Sequence, residues 1–296
     1  MLPSLNGVSA SCIVLPVGAW QTLYQFLIAR FPQVSTHEWR ARFERGEIRN
    51  AKNEPLPLQT PYQAHQKIYY YRHLANEEII PFKEQILFQD ELILVADKPH
   101  FLPVVPSGRY VRETLLTRLK QQLGSDTITP MHRIDKDTAG LVLFTLQPGL
   151  RDAYQRLFRE KKVEKCYHAI AGINPSLKLP MLYRSRLQES PRYMQMEETQ
   201  GEINAETVIE LAELKGEKGL YHLRPSTGQK HQLRAHMAAL GIPILNDRFY
   251  PILLPQSPQD NHFDKPLQLL AKSVSFIDPI TGQQRIFESA QSLKLS

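Results

Sequence analysis

Apolar residues recur at helical spacing early in the chain: Leu23, Phe26, Leu27 and Phe31 mark one face, and Pro32 stops the pattern. A short helix over 20–30 is predicted. Thr36 can cap a second helix through Trp39, Ala41 and Phe43, closed by Gly46, the residue type favoured just past a helix end. The stretch Lys67 to His73 reads as extended, and the polar run Asn76 to Lys83, with Pro81 inside it, marks a boundary near residue 78. Beyond it, Ile86–Phe88 and Leu92–Ala96 read as strands around the turn Gln89-Asp90-Glu91, and Val111, Leu115, Leu116, Leu119 and Leu123 as one helical face. Leu141–Leu146 is an apolar run of strand length, and Leu150, Tyr154, Leu157 and Phe158 mark another helix. Strands are expected at Val163–Ala171, Ala205–Leu211, Leu220–Leu223 and Gln268–Ile277, with a helix from Lys230 to Leu240 ended by Gly241. This irregular mixture predicts an α+β fold rather than a regular βαβ array. The expected organisation is a small module over 1–77 and a main domain over 78–296.

Composition adds that the 296 residues are 42% hydrophobic and 22% charged, enough to bury a core and too balanced for a disordered chain. Only two cysteines occur, Cys12 and Cys166, so a disulfide framework and a four-cysteine zinc site are both excluded, and a reducing cytoplasm is the expected compartment. The most apolar early stretch, Ile13 to Trp20, is interrupted by Pro16 and has no Lys or Arg before it, so neither a signal peptide nor a membrane segment is expected. Nothing resembles a coiled-coil seam, and a monomer is expected.

Charge changes the picture more. The net charge is +6, and residues 1–75 carry eight Lys and Arg against four Glu and no Asp. Arg40, Arg42, Arg45 and Arg49 cluster on and after the second predicted helix, while Lys67 to His73 mixes tyrosines with positive charge, so bases could stack and phosphates pair there. The alternative is a solvated basic helix beside a Tyr-rich packing strand.

The chain has no G-x-G-x-x-G, G-x-x-x-x-G-K-[ST] or G-x-S-x-G sequence, so dinucleotide, P-loop and nucleophile-elbow readings lose their anchors. His231 and His236, five apart, fall roughly 140° apart around a helix, poor geometry for a shared metal. Reactive groups crowd instead into Met131-His132-Arg133-Ile134-Asp135-Lys136-Asp137-Thr138-Ala139-Gly140, which enters the apolar run Leu141–Leu146. A loop beside a buried strand suits catalysis, although Asp135 and Asp137 could equally be turn-capping residues. An Asp-x-Asp phosphatase loop fits poorly, because the apolar strand follows the aspartates and Ala139 stands where Thr or Val is wanted.

His132-Arg133-Ile134-Asp135 followed by Thr138-Ala139-Gly140-Leu141 resembles the H-R-L-D-x-x-T-S-G-L motif of RluA-type pseudouridine synthases. Lys165-Cys166-Tyr167 resembles that family's K-x-Y element, Thr227 to His236 its T-G-R-T-H-Q-I-R-V-H, and Gly241 to Asp247 its G-x-P-I-x-G-D, all in the family's order. The resemblance runs from about residue 85 to 290, and residues 20–73 resemble a diverged RNA-binding module of the ribosomal-protein type. Ala139 replaces the usual Ser, Asn246 the usual Gly and Gln229 the usual Arg, whose contact Lys230 could supply.

The resemblance implies a mixed, largely antiparallel sheet core flanked by helices, preceded by a small α/β RNA-binding module. It implies isomerisation of uridine to pseudouridine in structured RNA, ribosomal RNA ahead of transfer RNA, without metal or cofactor. Asp135 is implied as nucleophile, attacking either the ribose or the uracil ring, with Arg234 keeping it ionised. Tyr167 is implied to stack on the base and assist proton movement at C5. Arg133 or His132 would fill the gap left by the extruded base, and Lys165, Lys230 and His231 would touch RNA. Thr138 and Gly140 would shape the loop, the glycine allowing backbone to approach substrate. The alternative is a catalytically silent RNA-binding protein on the same fold.

Overall fold

The computed structural model describes residues 4–72, 77–191, 194–254 and 263–295. The chain divides into two compact units, Met1–Glu78 with Pro106–Asp126, and Ile79–Val105 with Thr127–Ser296.

The first unit contains β1 (Ser11–Val14), α1 (Leu23–Arg30), α2 (Thr36–Glu44), β2 (Ile48–Asn50), β3 (Lys67–Tyr70) and α3 (Leu115–Leu123). Its three strands form an antiparallel sheet in the order β1-β3-β2. Leu15, Leu23, Phe26, Leu27, Trp39, Phe43, Ile48 and Ile68 form its buried core. The cap of α2 is Ser35, one residue before the expected Thr36, because the Ser35 hydroxyl is the one that accepts from the Glu38 amide. Val111 lies outside α3, which starts after its cap Thr114 and ends at Gly124 in the left-handed region.

Segment 106–126, which the sequence pattern groups with the main domain, packs instead with the first unit. Lys120 donates to the Ser9 hydroxyl at 2.8 Å, the Ser4 amide donates to Asp126 at 2.8 Å, and Gly7 presses on Thr117, where a Cβ would lie 2.6 Å from the carbonyl oxygen. The end of the Lys67–His73 stretch, His73, lies outside the described residues.

The second unit is built on one sheet of eleven strands: β4 (Gln85–Gln89), β5 (Ile93–Lys98), β6 (Thr129–Pro130), β7 (Ala139–Thr145), β8 (Glu164–Gly172), β9 (Met181–Glu189), β10 (Met196–Thr199), β11 (Ala205–Lys215), β12 (Lys218–Pro225), β13 (Leu269–Ile277) and β14 (Gln284–Glu288). The order is β10-β9-β11-β12-β8-β13-β7-β5-β4, with β14 on β13 and β6 on β7. Every pairing is antiparallel except β13 with β7, so the sheet is mixed and largely antiparallel. Helix α4 (Arg151–Arg159) supplies Tyr154 and Leu157 to a core with Ile93, Val95, Leu141, Leu143, Val274 and Phe276. Helix α5 (Gln232–Ala239) supplies Leu233 and Met237 to a second core with Ala169, Tyr221, Leu223 and Leu269.

Gly140 has φ +107, and a Cβ there would run into the backbone of Ala271, its partner in the parallel ladder. Its small size is therefore required by the close approach of β13, not by approach to a substrate. Asn246, where the resembling family has Gly, sits at φ +62, a conformation Asn tolerates better than most residues.

Candidate active site

The loop between β6 and β7 carries Asp135. It folds into a tight turn in which the Thr138 amide donates to the Asp135 carbonyl at 3.2 Å, and Thr138 is itself buried. The Asp135 carboxylate is 28% exposed and opens on a cleft whose walls also include Arg133, Lys165, Tyr167, His231 and Arg234.

Arg234 reaches the cleft from α5 and is almost completely buried. Its guanidinium is clamped by Asp247, with Nε donating to Oδ2 at 2.8 Å and Nη2 to Oδ1 at 2.7 Å, while Nη1 donates to Asp135 Oδ2 at 3.2 Å. It also lies over the ring of Phe249 at 4.8 Å. Burial opposes its charge, but the Asp247 hydrogen bonds and the charges of Asp247 and Asp135 outweigh that and raise its pKa above the ordinary value. Asp247 is held in turn, because Oδ1 accepts from the amides of Phe249 at 2.8 Å and Tyr250 at 3.2 Å. A bidentate clamp on two nitrogens leaves the third directed at Asp135, so the geometry of this cation is fixed before any substrate arrives.

Tyr167 stands in the middle of β8, opposite Leu223 of β12 and Ala271 of β13. Burial, and secondarily the Asp135 charge, push its phenol well above the ordinary range, so it remains protonated. Lys165, two residues earlier and on the same face, donates to the Thr227 carbonyl at 2.9 Å, and burial lowers it to about 8. His231 adopts φ +52 just ahead of α5. The Tyr250 phenol oxygen accepts from the Met196 amide at 2.6 Å and is hydrogen-bonded to His231 Nδ1, 3.3 Å away. The other ring nitrogen, Nε2, faces Asp135 Oδ2 at 3.8 Å.

Asp135, Tyr167, Arg234, Arg133, Lys165 and His231 thus converge on one cleft. Other candidates do not join it. His132 stacks on Phe158 with ring centroids 4.6 Å apart, and its Nε2 accepts from the Leu143 amide at 3.2 Å. Burial drops it to about 3, so it is a neutral packing residue and does not project towards a base. Lys230 is turned to Glu189 at 3.4 Å and does not stand in for the Arg that Gln229 replaces.

In the first unit, Arg42 is buried, bonded to Glu38 at 2.9 Å and laid over Trp39 at 4.9 Å. Arg45 bridges Glu47 and Glu38, and Arg49 donates to the carbonyls of Gly46 and Asn53. Arg42 therefore cannot reach a phosphate, Arg45 is exposed but paired with Glu47 and Glu38, Arg49 is occupied locally, and Arg40 is exposed to solvent.

Two buried groups were missed as site residues although both stand inside the motifs. Asp247 closes the G-x-P-I-x-G-D element and aims Arg234. Gln232 is a hub: its Oε1 accepts from Thr227 Oγ1 at 2.7 Å and from the Gln229 amide at 3.0 Å, and its Nε2 donates to the Glu206 carbonyl at 2.9 Å, tying the loop ahead of α5 to β11.

A family model described as RNA pseudouridylate synthase matches residues 92–239. The dual-specificity RNA pseudouridine synthase RluA of Haemophilus influenzae is 31% identical over 72% of this chain and 95% of its own. The mitochondrial tRNA pseudouridine(32) synthase of Saccharomyces cerevisiae is 29% identical over 77% of this chain and 50% of its own. Among solved structures, human RNA pseudouridylate synthase domain containing 4 aligns with a TM-score of 0.55 and 25% identity over 70% of this chain and 88% of that one. With the ordered motifs now seen to meet around a single cleft on a mixed sheet, the chain belongs to the RluA-type RNA pseudouridine synthases, isomerases that act on RNA.

Proposed function

We propose that this protein converts uridine to pseudouridine in ribosomal RNA, with the Asp135 carboxylate as nucleophile. The observation that carries the reading is the carboxylate in the cleft, 3.2 Å from a guanidinium that Asp247 holds in place. The guanidinium pairs with the carboxylate and fixes its orientation, so a nucleophilic oxygen is held in the cleft before the base arrives. The reaction breaks the N1–C1′ bond and forms C5–C1′, with the C5 proton ultimately replaced by one on N1, so neither water nor an electron carrier is consumed. Tyr167, protonated and facing the same cleft, supplies a ring for the uracil and a hydroxyl for proton movement at C5. Exposed Arg133 at the cleft wall is placed to fill the stack vacated by the base.

The choice of ribosomal RNA rests on the basic first unit, which resembles a ribosomal-protein-type module and would add affinity through Arg40. The similar proteins of known specificity include a dual-specificity enzyme and one acting on transfer RNA, so both RNAs belong in the test. Pseudouridines are mapped in ribosomal and transfer RNA from cells with and without the gene, and the purified protein and its Asp135→Asn variant are assayed on the RNA that loses a site. The expected result is loss from ribosomal RNA, restored by the wild type and not by Asp135→Asn at equal RNA affinity. Loss from transfer RNA alone overturns the substrate, and activity in Asp135→Asn overturns the nucleophile.

A further inference from the structure

Two donors outside the cleft hold the loop that carries Asp135. Lys98 Nζ donates to the carbonyl of Lys136 at 2.9 Å and to that of Pro99 at 2.9 Å, and His100 Nδ1 donates to the carbonyl of Asp137 at 2.7 Å. Consecutive carbonyls immediately after Asp135 are thus fixed by one short segment at the end of β5. Lys98 is completely buried, although a lysine ammonium surrounded by protein is expensive to desolvate. Its position is explained by the two carbonyls it satisfies.

The segment is itself anchored on both sides. Lys98 pairs with Gly140 in the β5–β7 ladder, and its carbonyl accepts from Gln291 Nε2 at 3.0 Å. Phe101, directly after His100, is a non-glycine residue at φ +68, buried against Phe82 and Phe263 with ring centroids 5.9 and 5.2 Å away. A bulky residue in the left-handed region persists only where its surroundings over-determine it, and here the aromatic cluster does so and aims the preceding imidazole at the loop.

We propose that Lys98 and His100 are positioning residues for the isomerisation: by fixing the carbonyls of Lys136 and Asp137 they set where the Asp135 carboxylate stands in the cleft. The inference rests on Asp135 being the nucleophile. Neither side chain lines the cleft, so neither contributes to RNA affinity, and their influence falls on the chemical step, which is sensitive to displacements of about 1 Å.

The test uses the full chain and the RNA identified above, with single-turnover rates at saturating enzyme, RNA affinity and thermal melting measured for each variant. His100→Leu and His100→Asn have nearly the same shape, but only the amide retains an N–H in place of Nδ1–H. His100→Leu is expected to slow the chemical step by about tenfold to a hundredfold with RNA affinity unchanged, and His100→Asn to recover most of it. Lys98→Met is expected to lose rate in the same way. Equal rates in the Leu and Asn variants, whether normal or slow, overturn the role of His100, and a normal rate in Lys98→Met removes Lys98. Asp135→Asn runs alongside: if it still forms pseudouridine, the nucleophile reading fails, whereas an inactive Asp135→Asn with equal His100 variants sinks the clamp alone.

Discussion

Arg234 serves two carboxylates with unequal claims. Asp247, whose side chain is 0% exposed, takes two nitrogens and Asp135, 28% exposed, takes one at the longer distance. Removing the guanidinium therefore strands one fully buried charge and releases another at the cleft. Arg234→Met is expected to destabilise the fold by about 3–5 kcal/mol, chiefly through Asp247, and to slow the single-turnover rate by about two orders of magnitude through Asp135. Adding Asp247→Leu separates the two effects: the double variant should regain part of the stability, since no buried charge is left unpaired, and none of the rate. A double variant that regains rate would show that Asp135 does not depend on Arg234. At this scale the sequence was informative where a motif states chemistry, as at Asp135, Tyr167 and Arg234, which do meet in one cleft. It was silent where the chemistry depends on a distant neighbour. His132 lies inside the reactive stretch yet is claimed by Phe158 of α4, and nothing local to Lys98 or His100 announces the loop they hold.

Helix α2 shows why counting basic residues overstates an RNA surface. Of its cluster, Arg42 faces inward over Trp39, while Arg45 and Arg49 close the turn that follows the helix. Arg40→Glu should make the slope of log affinity against log salt shallower by about one, as for a lost phosphate contact. Arg42→Leu should leave that slope unchanged and lower the melting temperature instead. Identical slopes for wild type and Arg40→Glu would take this helix out of the RNA interface.

Strong periodicity made α1, α4, β5, β7 and β8 legible. Strand β9 was not, because its inward positions include Ser185, whose hydroxyl bonds His236 at 3.1 Å, while Leu182 points outward and is 47% exposed. A strand that buries a hydroxyl and exposes a leucine erases its own alternation. The amphipathic face of α3 was equally clear, but the partner it covers is fixed by tertiary contacts with residues 4–9, which no local pattern encodes.

Across the whole molecule, buried titratable groups set the pH range of stability. Burial lowers His132 to about 3 and His168 and His236 to about 4, and it also lowers His100 and His231. Because their folded pKa values lie below the unfolded value, the unfolded chain binds more protons, and stability is lost as pH falls from about 6.5 to about 4, by at most about 1.4 kcal/mol per histidine per pH unit. Lys98, pushed down to about 7 by burial against the pull of Asp137 and Asp135, adds stability as pH rises from there towards its ordinary value. Tyr110, Tyr183 and Tyr250, pushed up to about 12 chiefly by burial, act oppositely: their contribution is present below about pH 10 and is lost on the way to 12. Urea midpoints at about pH 5, 8.5 and 11 should be highest at the middle value. A midpoint as high at pH 5 as at 8.5 would mean that these histidines are not held neutral.

Strand β13 lies between β8 and β7 and, among the described residues, is the one strand that joins the two halves of the sheet, yet it follows the strands of both halves in sequence. A ribosome working from the N-terminus therefore completes β4, β5 and β7 on one side and β8 to β12 on the other while the strand between them is still being made. Asp135 belongs to the first half and Arg234 to the helix packed on the second, so an unfinished chain carries the two partners of this ion pair on halves of the sheet that are not yet joined. A chain cut off before residue 269 is therefore expected to form no stable Asp135–Arg234 contact and no pseudouridine, whereas adding residues 269–277 back should restore the contact first.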